Sequence, residues 1–141
     1  MEIPFLRLSA DAILPTKGHP DDAGFDLYVT KQMFVDGRPT DIPCGVAVEL
    51  PPGTWGLLTG RSSTIRKRGL VVNTGIIDRG YRGELFISVH SLDGMPVLVR
   101  KGDRLAQLIV MAAPAEGAEA VWVDELSDHP RGLSGFGSTG S

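Results

Sequence analysis

The chain has 141 residues, 42% of them hydrophobic and 22% charged, which indicates one globular domain with a sizeable core. Its formal net charge of −3 excludes a broad basic field for nucleic acid or anionic lipid, and Cys44, the only cysteine, excludes an internal disulfide framework. No apolar run reaches the roughly twenty residues of a membrane span and no secretory signal pattern is present, so we expect a cytoplasmic protein.

Short apolar runs with a period of two recur along the chain and predict β-strands. The predicted strands are residues 3–8, 25–29, 46–50, 55–59, 70–72, 85–90, 97–99, 105–111 and 120–123. Turns rich in the 18 glycines and 10 prolines separate them, and residues 35–40 stay an unassigned loop. This pattern predicts an all-β fold, an antiparallel sandwich or barrel, in which Trp55 and Trp122 lie in the core or at a subunit interface.

One short helix is predicted at residues 64–68, with Ser62 or Ser63 as its N-cap and Gly69 ending it in the left-handed conformation. Arg61 lies beside its N-terminus. Free N–H groups, hydroxyls and a guanidinium together suit a phosphate. The alternative is that Arg61 is a surface ion-pair residue and that the serines only cap the helix.

The segment GIIDRGYRGEL, residues 75–85, places Asp78 and Tyr81 at fixed offsets in a glycine-rich turn between two strands. Ile76 and Ile77 lead into the acid. A carboxylate anchored at a strand end has the fixed geometry that a general base needs. The alternative is a turn in which Asp78 bonds only its own backbone.

The last residues, 131–141, contain glycines, serines and little to bury, so we predict a flexible tail on a domain that spans residues 1–130. Phe136 can stack on a flat ligand, Ser138 and Thr139 can hold phosphate oxygens, and Arg131 can add a bidentate contact. The alternative is a terminus without function.

Five segments in this order resemble the all-β deoxyuridine triphosphate nucleotidohydrolases, or dUTPases. They are AGFDLY at residues 23–28, GRSS at 60–63, GIIDRGYRGE at 75–84, GDRLAQL at 102–108 and RGLSGFGSTG at 131–140. Ser63 stands where that family usually has Gly, and Leu133 and Ser134 replace a common polar-Gly pair. The resemblance implies a jelly-roll-like β-clip domain with one short helix, closed by the tail as a lid.

The resemblance also implies the reaction. Asp78 would activate a water for attack on the α-phosphorus of dUTP, giving dUMP and pyrophosphate, which limits uracil in DNA and supplies dUMP for thymidylate synthesis. Tyr81 would pack under the deoxyribose and reject a 2′-hydroxyl. Asp26 would support the phosphate and metal site indirectly, or be a structural acid. Mg²⁺ would be carried by the substrate phosphates and water rather than by protein ligands.

The remaining roles that the resemblance implies fall into two groups. The phosphate-binding residues would be Arg61, Ser62, Ser63, Gln107, Arg131, Ser138 and Thr139. The residues that bind uracil and deoxyribose would be Val72, Asn73, Thr74, Gly75, Ile77, Tyr81 and Phe136. Residues 72–75 would form a tight hairpin whose backbone reads the base and excludes the methyl of thymine. Whether the Asn73 side chain contacts uracil, as in some bacterial relatives, stays open.

Members of this family assemble as homotrimers with active sites shared between subunits, which implies that Asp78 of one chain faces Arg61 of another. A rival with the same fold is dCTP deaminase, but its deaminating glutamate falls where this chain has Ser88, which cannot act as that acid or base. A rival of another class is an interaction protein, because some phage relatives bind host regulators, usually through an insertion. The chain has no obvious insertion apart from the unassigned loop at residues 35–40.

Overall fold

The computed structural model describes residues 1–135 and confirms an all-β, antiparallel fold with one short helix. Within that range no helix is long and apolar enough to cross a membrane. The strands are β1 (Phe5–Arg7), β2 (Phe25–Tyr28), β3 (Met33–Val35), β4 (Thr40–Pro43), β5 (Val46–Val48), β6 (Thr54–Gly60), β7 (Leu70–Val72), β8 (Gly75–Ile77), β9 (Phe86–Ser91), β10 (Val97–Val99) and β11 (Arg104–Ala112), and the helix α1 (Ser62–Arg68) follows β6.

The strands form two larger sheets, of order β2-β11-β6-β8 and β4-β9-β7, and two strand pairs, β1-β5 and β10-β3. Alternate side chains of both larger sheets meet in one apolar cluster, as in a β-sandwich. Each fully buried leucine there contributes about 1.5–3 kcal/mol of transfer free energy. The most completely buried side chains include Leu27, Leu58, Leu105 and Leu108 from the first sheet and Ile42, Leu70, Ile87 and Val89 from the second.

The region predicted as a loop at residues 35–40 is bounded by two strands that were not predicted. β3 pairs with β10 and β4 pairs with β9, so only residues 36–39 connect them. Both strands are too short to show a period, and β4 ends in Pro43 at the position opposite Phe86. Their strand conformation depends on a distant partner strand, which local sequence does not reveal.

The strand predicted at residues 120–123 is wrong. The structure gives these residues no regular secondary structure and leaves them on the surface, where Trp122 is fully exposed and Val121 is 75% exposed. An alternating apolar run forms a strand only where a sheet edge is available to pair with it. Trp122 is therefore outside the core of this chain, whereas Trp55 is half-buried and its Nε1 donates to the Ala112 carbonyl at 3.2 Å.

The helix begins at Ser62, two residues before the predicted start at residue 64. Arg61 is the N-cap, in extended conformation and without a side-chain cap bond, so neither Ser62 nor Ser63 is the cap. Instead, the Thr64 hydroxyl donates to the Leu105 carbonyl at 2.6 Å and ties α1 to β11. The predicted stop at Gly69 is confirmed, because its φ of 63° lies in the left-handed region that favours glycine.

The prediction of a hairpin at residues 72–75 is also wrong, because the two strands that flank this turn do not pair with each other. In the structure β7 pairs with β9 and β8 pairs with β6, so β7 and β8 belong to different sheets. Asn73 and Thr74 carry the chain from one sheet to the other. The turn is held by the sheets on its two sides rather than by hydrogen bonds between its own arms.

Candidate active site

A cluster of two guanidinium groups and one carboxylate lies where β2, β6 and β11 meet. Asp26 Oδ1 is 2.9 Å from Arg61 Nε, and Asp26 Oδ2 is 3.3 Å from Arg104 Nη1. The Asp26 side chain is only 14% exposed, and Arg61 Nη1 also donates to the Arg104 carbonyl at 3.1 Å. Asp26 therefore orients two cations. Arg61 does form an ion pair, as the alternative for it required. Arg104 lies in the motif GDRLAQL, but the sequence analysis did not predict it as a site residue.

Gln107 lies beside this cluster, on the central strand β11, opposite Asp26 on β2 and Thr59 on β6. Its Nε2 donates to the Gly60 carbonyl at 3.2 Å, which fixes the plane of the amide. A Cβ placed on Gly24 would lie 2.7 Å from Gln107 Oε1. Glycine at position 24 thus leaves the room that the Gln107 amide occupies.

If Gln107 binds the nucleotide, as the resemblance implies, replacing Gly24 with Ala should raise the KM for it by roughly tenfold, because one displaced hydrogen-bonding group costs about 1.4 kcal/mol. Steady-state kinetics of pyrophosphate release measure this. Gly18→Ala is the matched control, because its new Cβ would meet only the exposed Asp22 carboxylate, at 3.1 Å, away from Gln107. An unchanged KM for Gly24→Ala would show that Gln107 does not contact the substrate.

Two open clefts flank Arg61. One, of about 350 Å³, is lined by Arg61, Ser63, Thr64, Lys67, Arg68, Gly102, Asp103 and Arg104. We call it the basic cleft, since its charged lining is four cations and one acid. The other, of about 300 Å³, joins Arg61 and Ser62 to Val72 of β7. The basic cleft therefore brings Arg61 and Ser63 of the second motif beside residues 102–104 of the fourth. Gln107 lines neither cleft and meets the second motif through its hydrogen bond to the Gly60 carbonyl.

The turn that carries Asp78 begins directly after β8. The Tyr81 N–H donates to the Asp78 carbonyl at 3.0 Å, and the Tyr81 hydroxyl donates to the Glu84 carbonyl at 2.8 Å. Within residues 1–135 the described hydrogen bonds of this turn use backbone, Tyr81 and Arg82 groups, and none uses the Asp78 carboxylate. The simple turn alternative, in which that carboxylate bonds its own backbone, is not what the structure shows.

A carboxylate from a distant segment braces this turn. Glu116 Oε1 lies 2.7 Å from Arg79 Nε, and Glu116 Oε2 accepts the Gly53 N–H at 2.7 Å. Arg82 Nη1 also donates to the Arg79 carbonyl at 2.9 Å. Arg79, the neighbour of Asp78, is therefore held against the surface. We call residues 78–82 with this brace the Asp78 turn.

The cleft beside the Asp78 turn has a volume of about 210 Å³ and is lined by Ile76, Ile77, Asp78, Tyr81, Glu84, Leu85 and Phe86. Of the two isoleucines, Ile77 packs against the core, whereas Ile76 is 61% exposed. The sequence named Ile77 as the ligand contact, but alternation along β8 turns the Ile76 side chain outward. Asp78 and Tyr81 both line this cleft.

Asp78 and Arg61 lie toward opposite ends of β6 within one chain. Ile77 pairs with Gly56, whereas Gly60 at the other end of β6 leads into Arg61. At about 3.4 Å per residue, Gly56 and Arg61 are roughly 17 Å apart, and Asp78 continues beyond Ile77 in the direction away from Arg61. One chain therefore does not bring these two side chains to adjacent phosphates.

The predicted base-reading residues lie at the crossing between the sheets. The Asn73 N–H donates to the Ser88 carbonyl at 2.8 Å, and Asn73 Nδ2 donates to Ser88 Oγ at 3.0 Å. Val72 and Gly75 are half-buried and Thr74 is exposed. Ser88, which stands where dCTP deaminase has its glutamate, therefore contacts a predicted base-reading residue.

The tail residues that the structure describes make only local contacts. The Arg131 N–H donates to His129 Nδ1 at 3.1 Å, the Ser134 N–H donates to the Arg131 carbonyl at 3.2 Å, and Leu133 is fully exposed. The predicted contacts from Phe136, Ser138 and Thr139 lie outside the described residues.

Cys44 does not provide a nucleophile. Burial, together with the nearby Glu84 carboxylate, raises the pKa of the Cys44 thiol to about 12. A thiol is nucleophilic only as its thiolate, which is therefore scarce at neutral pH. The polar side chains that line the Asp78 cleft are instead the carboxylates of Asp78 and Glu84 and the hydroxyl of Tyr81.

Comparison with known proteins identifies the family. A family model described as dUTPase matches residues 10–140. Deoxyuridine 5′-triphosphate nucleotidohydrolases of Rhodococcus erythropolis and Nocardia farcinica are 40% and 42% identical over 99% and 98% of this chain, covering 87% and 85% of theirs. A dUTPase variant of Staphylococcus bacteriophage 80alpha, solved with dUpNHpp, superposes with a TM-score of 0.88 at 30% identity over 99% of both chains. The chain therefore belongs to the dUTPase family, the enzymes that hydrolyse dUTP to dUMP.

Proposed function

We propose that this chain hydrolyses dUTP as a homotrimer, in active sites that combine the basic cleft of one subunit with the Asp78 turn of another. The observation that carries this proposal is the separation of roughly 17 Å or more between Arg61 and Asp78 within one chain. The basic cleft supplies cations for the phosphates but no base, and the Asp78 turn supplies the carboxylate but too few cations for a triphosphate. Joining subunits supplies both halves to one triphosphate.

Asp78 is the general base of this proposal. It takes a proton from a water whose oxygen bonds to the α-phosphorus, while the bond from that phosphorus to the bridging oxygen of pyrophosphate breaks. Two observations support this role. The Asp78 carboxylate takes no part in the described hydrogen bonds of the turn, and the ion pair of Arg79 with Glu116 braces the turn. A braced base keeps its distance to the water at every turnover.

The phosphates bind to Arg61, Ser62, Ser63 and Gln107, and the tail adds Arg131, Ser138 and Thr139 when it closes. Asp26 takes an indirect role, because its two oxygens already hold Arg61 and Arg104.

Mg²⁺ is the proposed cofactor. In residues 1–135 no three His, Cys, Asp or Glu side chains form a metal cage. The proposed ion would be held by substrate phosphates and water. When bound, it neutralises phosphate charge.

The nucleoside half of the substrate binds along β8. The three residues of β8 separate the base turn, residues 72–75, from Asp78 by about 10 Å. This distance is about the length of a nucleoside with its first phosphate. Tyr81 supports the deoxyribose, and Phe136 from the tail covers the base. Ile77 contributes backbone only, since its side chain packs against the core. The β domain spans residues 1–130, and residues 131–141 form the lid that belongs to it.

We place the reaction in the cytoplasm, with the deoxynucleotide pool. A regulatory protein partner is a weaker candidate. Phage 80alpha dUTPases are described as controlling transfer of virulence genes, and a phage phi11 dUTPase carries a species-specific insert. In this chain the region from Val35 to Thr40 has only residues 36–39 between two strands, which leaves little room for such an insert.

Mixing two inactive variants should restore activity if the site is shared. Arg61→Gln and Asp78→Asn each remove one half, so each homotrimer should be inactive. In randomly mixed trimers about one site in four combines an intact Arg61 with an intact Asp78 and should turn over dUTP. Pyrophosphate release after co-expression of differently tagged subunits measures this.

The control for this experiment is co-expression of two differently tagged Asp78→Asn subunits, in which every site lacks the base. It should stay inactive. The shared site would be contradicted if oligomers verified to contain both Arg61→Gln and Asp78→Asn subunits recovered no activity. Activity of a monomer would contradict it as well.

A further inference from the structure

The Asp78 turn carries two arginines, and both are paired with acids from outside the turn. Arg79 Nε lies 2.7 Å from Glu116 Oε1, and Arg82 Nη2 lies 3.4 Å from Glu49 Oε1. In the part of the chain that the structure describes, no ion pair or hydrogen bond joins either guanidinium to the Asp78 carboxylate. The carboxylate is therefore left unpaired although two cations follow it closely in the sequence.

Of the two acids, Glu116 is held more firmly. Its Oε2 accepts the Gly53 N–H at 2.7 Å, its own N–H donates to the Ala113 carbonyl at 3.0 Å, and the Ala113 N–H donates to the Gly53 carbonyl at 2.8 Å. The Glu116 side chain is 33% exposed, whereas that of Glu49 is 62% exposed. None of these bonds uses the Asp78 turn, so the position of Glu116 is set independently of it.

The two arginines differ in how much they need an acid partner. Arg82 Nη1 donates to the Arg79 carbonyl at 2.9 Å and to the Tyr81 carbonyl at 3.4 Å, so this head group stays attached to the turn without one. Among the described contacts, Glu116 is the only partner of the Arg79 side chain. Neighbouring Cα atoms are about 3.8 Å apart, less than the length of an arginine side chain. A released Arg79 guanidinium can therefore reach the Asp78 carboxylate.

We propose that Glu116 is a positioning residue that keeps the Arg79 guanidinium away from the Asp78 carboxylate, so that the carboxylate stays free to accept a proton from water. A guanidinium paired with a carboxylate fills the oxygen lone pairs with N–H donors. Those lone pairs are the sites that a general base needs. The proposal rests on Asp78 as the base of the proposed function, and it adds a residue that lies outside the five motifs.

Glu116→Gln should lower kcat for dUTP by about fivefold at low salt, while KM stays within about twofold, because an exposed ion pair between Arg79 and Asp78 shifts an equilibrium by up to about fivefold. The change keeps the shape of the side chain and an acceptor for the Gly53 N–H. Salt screens an exposed pair, so the loss should shrink between about 0.05 M and about 0.5 M salt. Pyrophosphate release at saturating dUTP measures kcat.

The matched control is Glu49→Gln, the same chemical change at the acid that pairs with Arg82. Its kcat should stay within about twofold of the parent, because Arg82 keeps its bonds to backbone carbonyls. An unchanged kcat in a folded Glu116→Gln protein, or an equal fall in Glu49→Gln, would overturn the proposal.

A second substitution separates this role from that of the brace alone. Arg79→Gln loses the brace but also removes the cation, so adding it to Glu116→Gln should raise kcat by about threefold or more and bring it to the level of Arg79→Gln alone. If Glu116 only braces the turn, Glu116→Gln, Arg79→Gln and the double variant should have equal kcat. Equal values would overturn the proposal.

The Asp78→Asn background distinguishes failure of this proposal from failure of the base assignment. Without the carboxylate there is nothing for Arg79 to pair with, so adding Glu116→Gln should leave the residual kcat unchanged. A further fall of about fivefold would overturn the role of Glu116 and leave the base in place. Near-normal turnover in Asp78→Asn by itself would overturn the base assignment, and the proposal with it.

Discussion

Replacing Asp78 with Asn should lower kcat for dUTP hydrolysis by about 10²–10⁴-fold, the range that a positioned general base contributes. The amide has nearly the same shape as the carboxylate but cannot take a proton from water. The described hydrogen bonds of the turn do not use this carboxylate, so the turn and the protein should keep their stability. Steady-state kinetics and titration with a non-hydrolysable dUTP analogue measure turnover and binding separately.

The control for Asp78→Asn is Asp21→Asn, the same chemical change at an exposed position outside the clefts described above. Its kcat should equal that of the parent. Near-normal turnover in Asp78→Asn would remove Asp78 from the role of base. Loss of analogue binding with unchanged kcat would assign it to substrate binding instead.

Removing residues 131–141 should leave a folded protein whose kcat/KM for dUTP is lower by about 10²-fold or more, because a lid completes the site and excludes water. The core strands end at Ala112, and the described part of the tail makes only local hydrogen bonds. Thermal unfolding should therefore change little. The melting temperature and the kinetics of pyrophosphate release test the two halves of this prediction.

The control for the truncation is a chain that lacks only Ser141, which follows the last residue of RGLSGFGSTG. It should keep full activity. Full activity after removal of residues 131–141 would show that the tail is not a lid. A large fall in melting temperature would assign the tail to the fold rather than to the site.

Local pattern predicted most of the fold where strands were long enough to alternate. The period of two along β9 matches the burial of Ile87 and Val89, and Gly69 ends the helix as predicted. In β11 the alternation is broken by a register shift between Arg104 and Ala106, so that Leu105 and Leu108 are both buried. The failures share one cause. β3 and β4 are strands only because β10 and β9 pair with them, and residues 120–123 have the pattern of a strand without a partner edge.

The sequence by itself determined the all-β class and the order of the five motifs that resemble the dUTPase family, and it predicted Asp78 and Tyr81 as residues of the reaction. Only the tertiary structure decided how those motifs meet. Asp26 and Arg104 are 78 residues apart in the chain yet form an ion pair, and strand register alone puts Asp78 and Arg61 toward opposite ends of β6. Local alternation sets which face of a strand is buried. Which partner strand it pairs with depends on packing between distant segments, as the pairs β3-β10 and β4-β9 show.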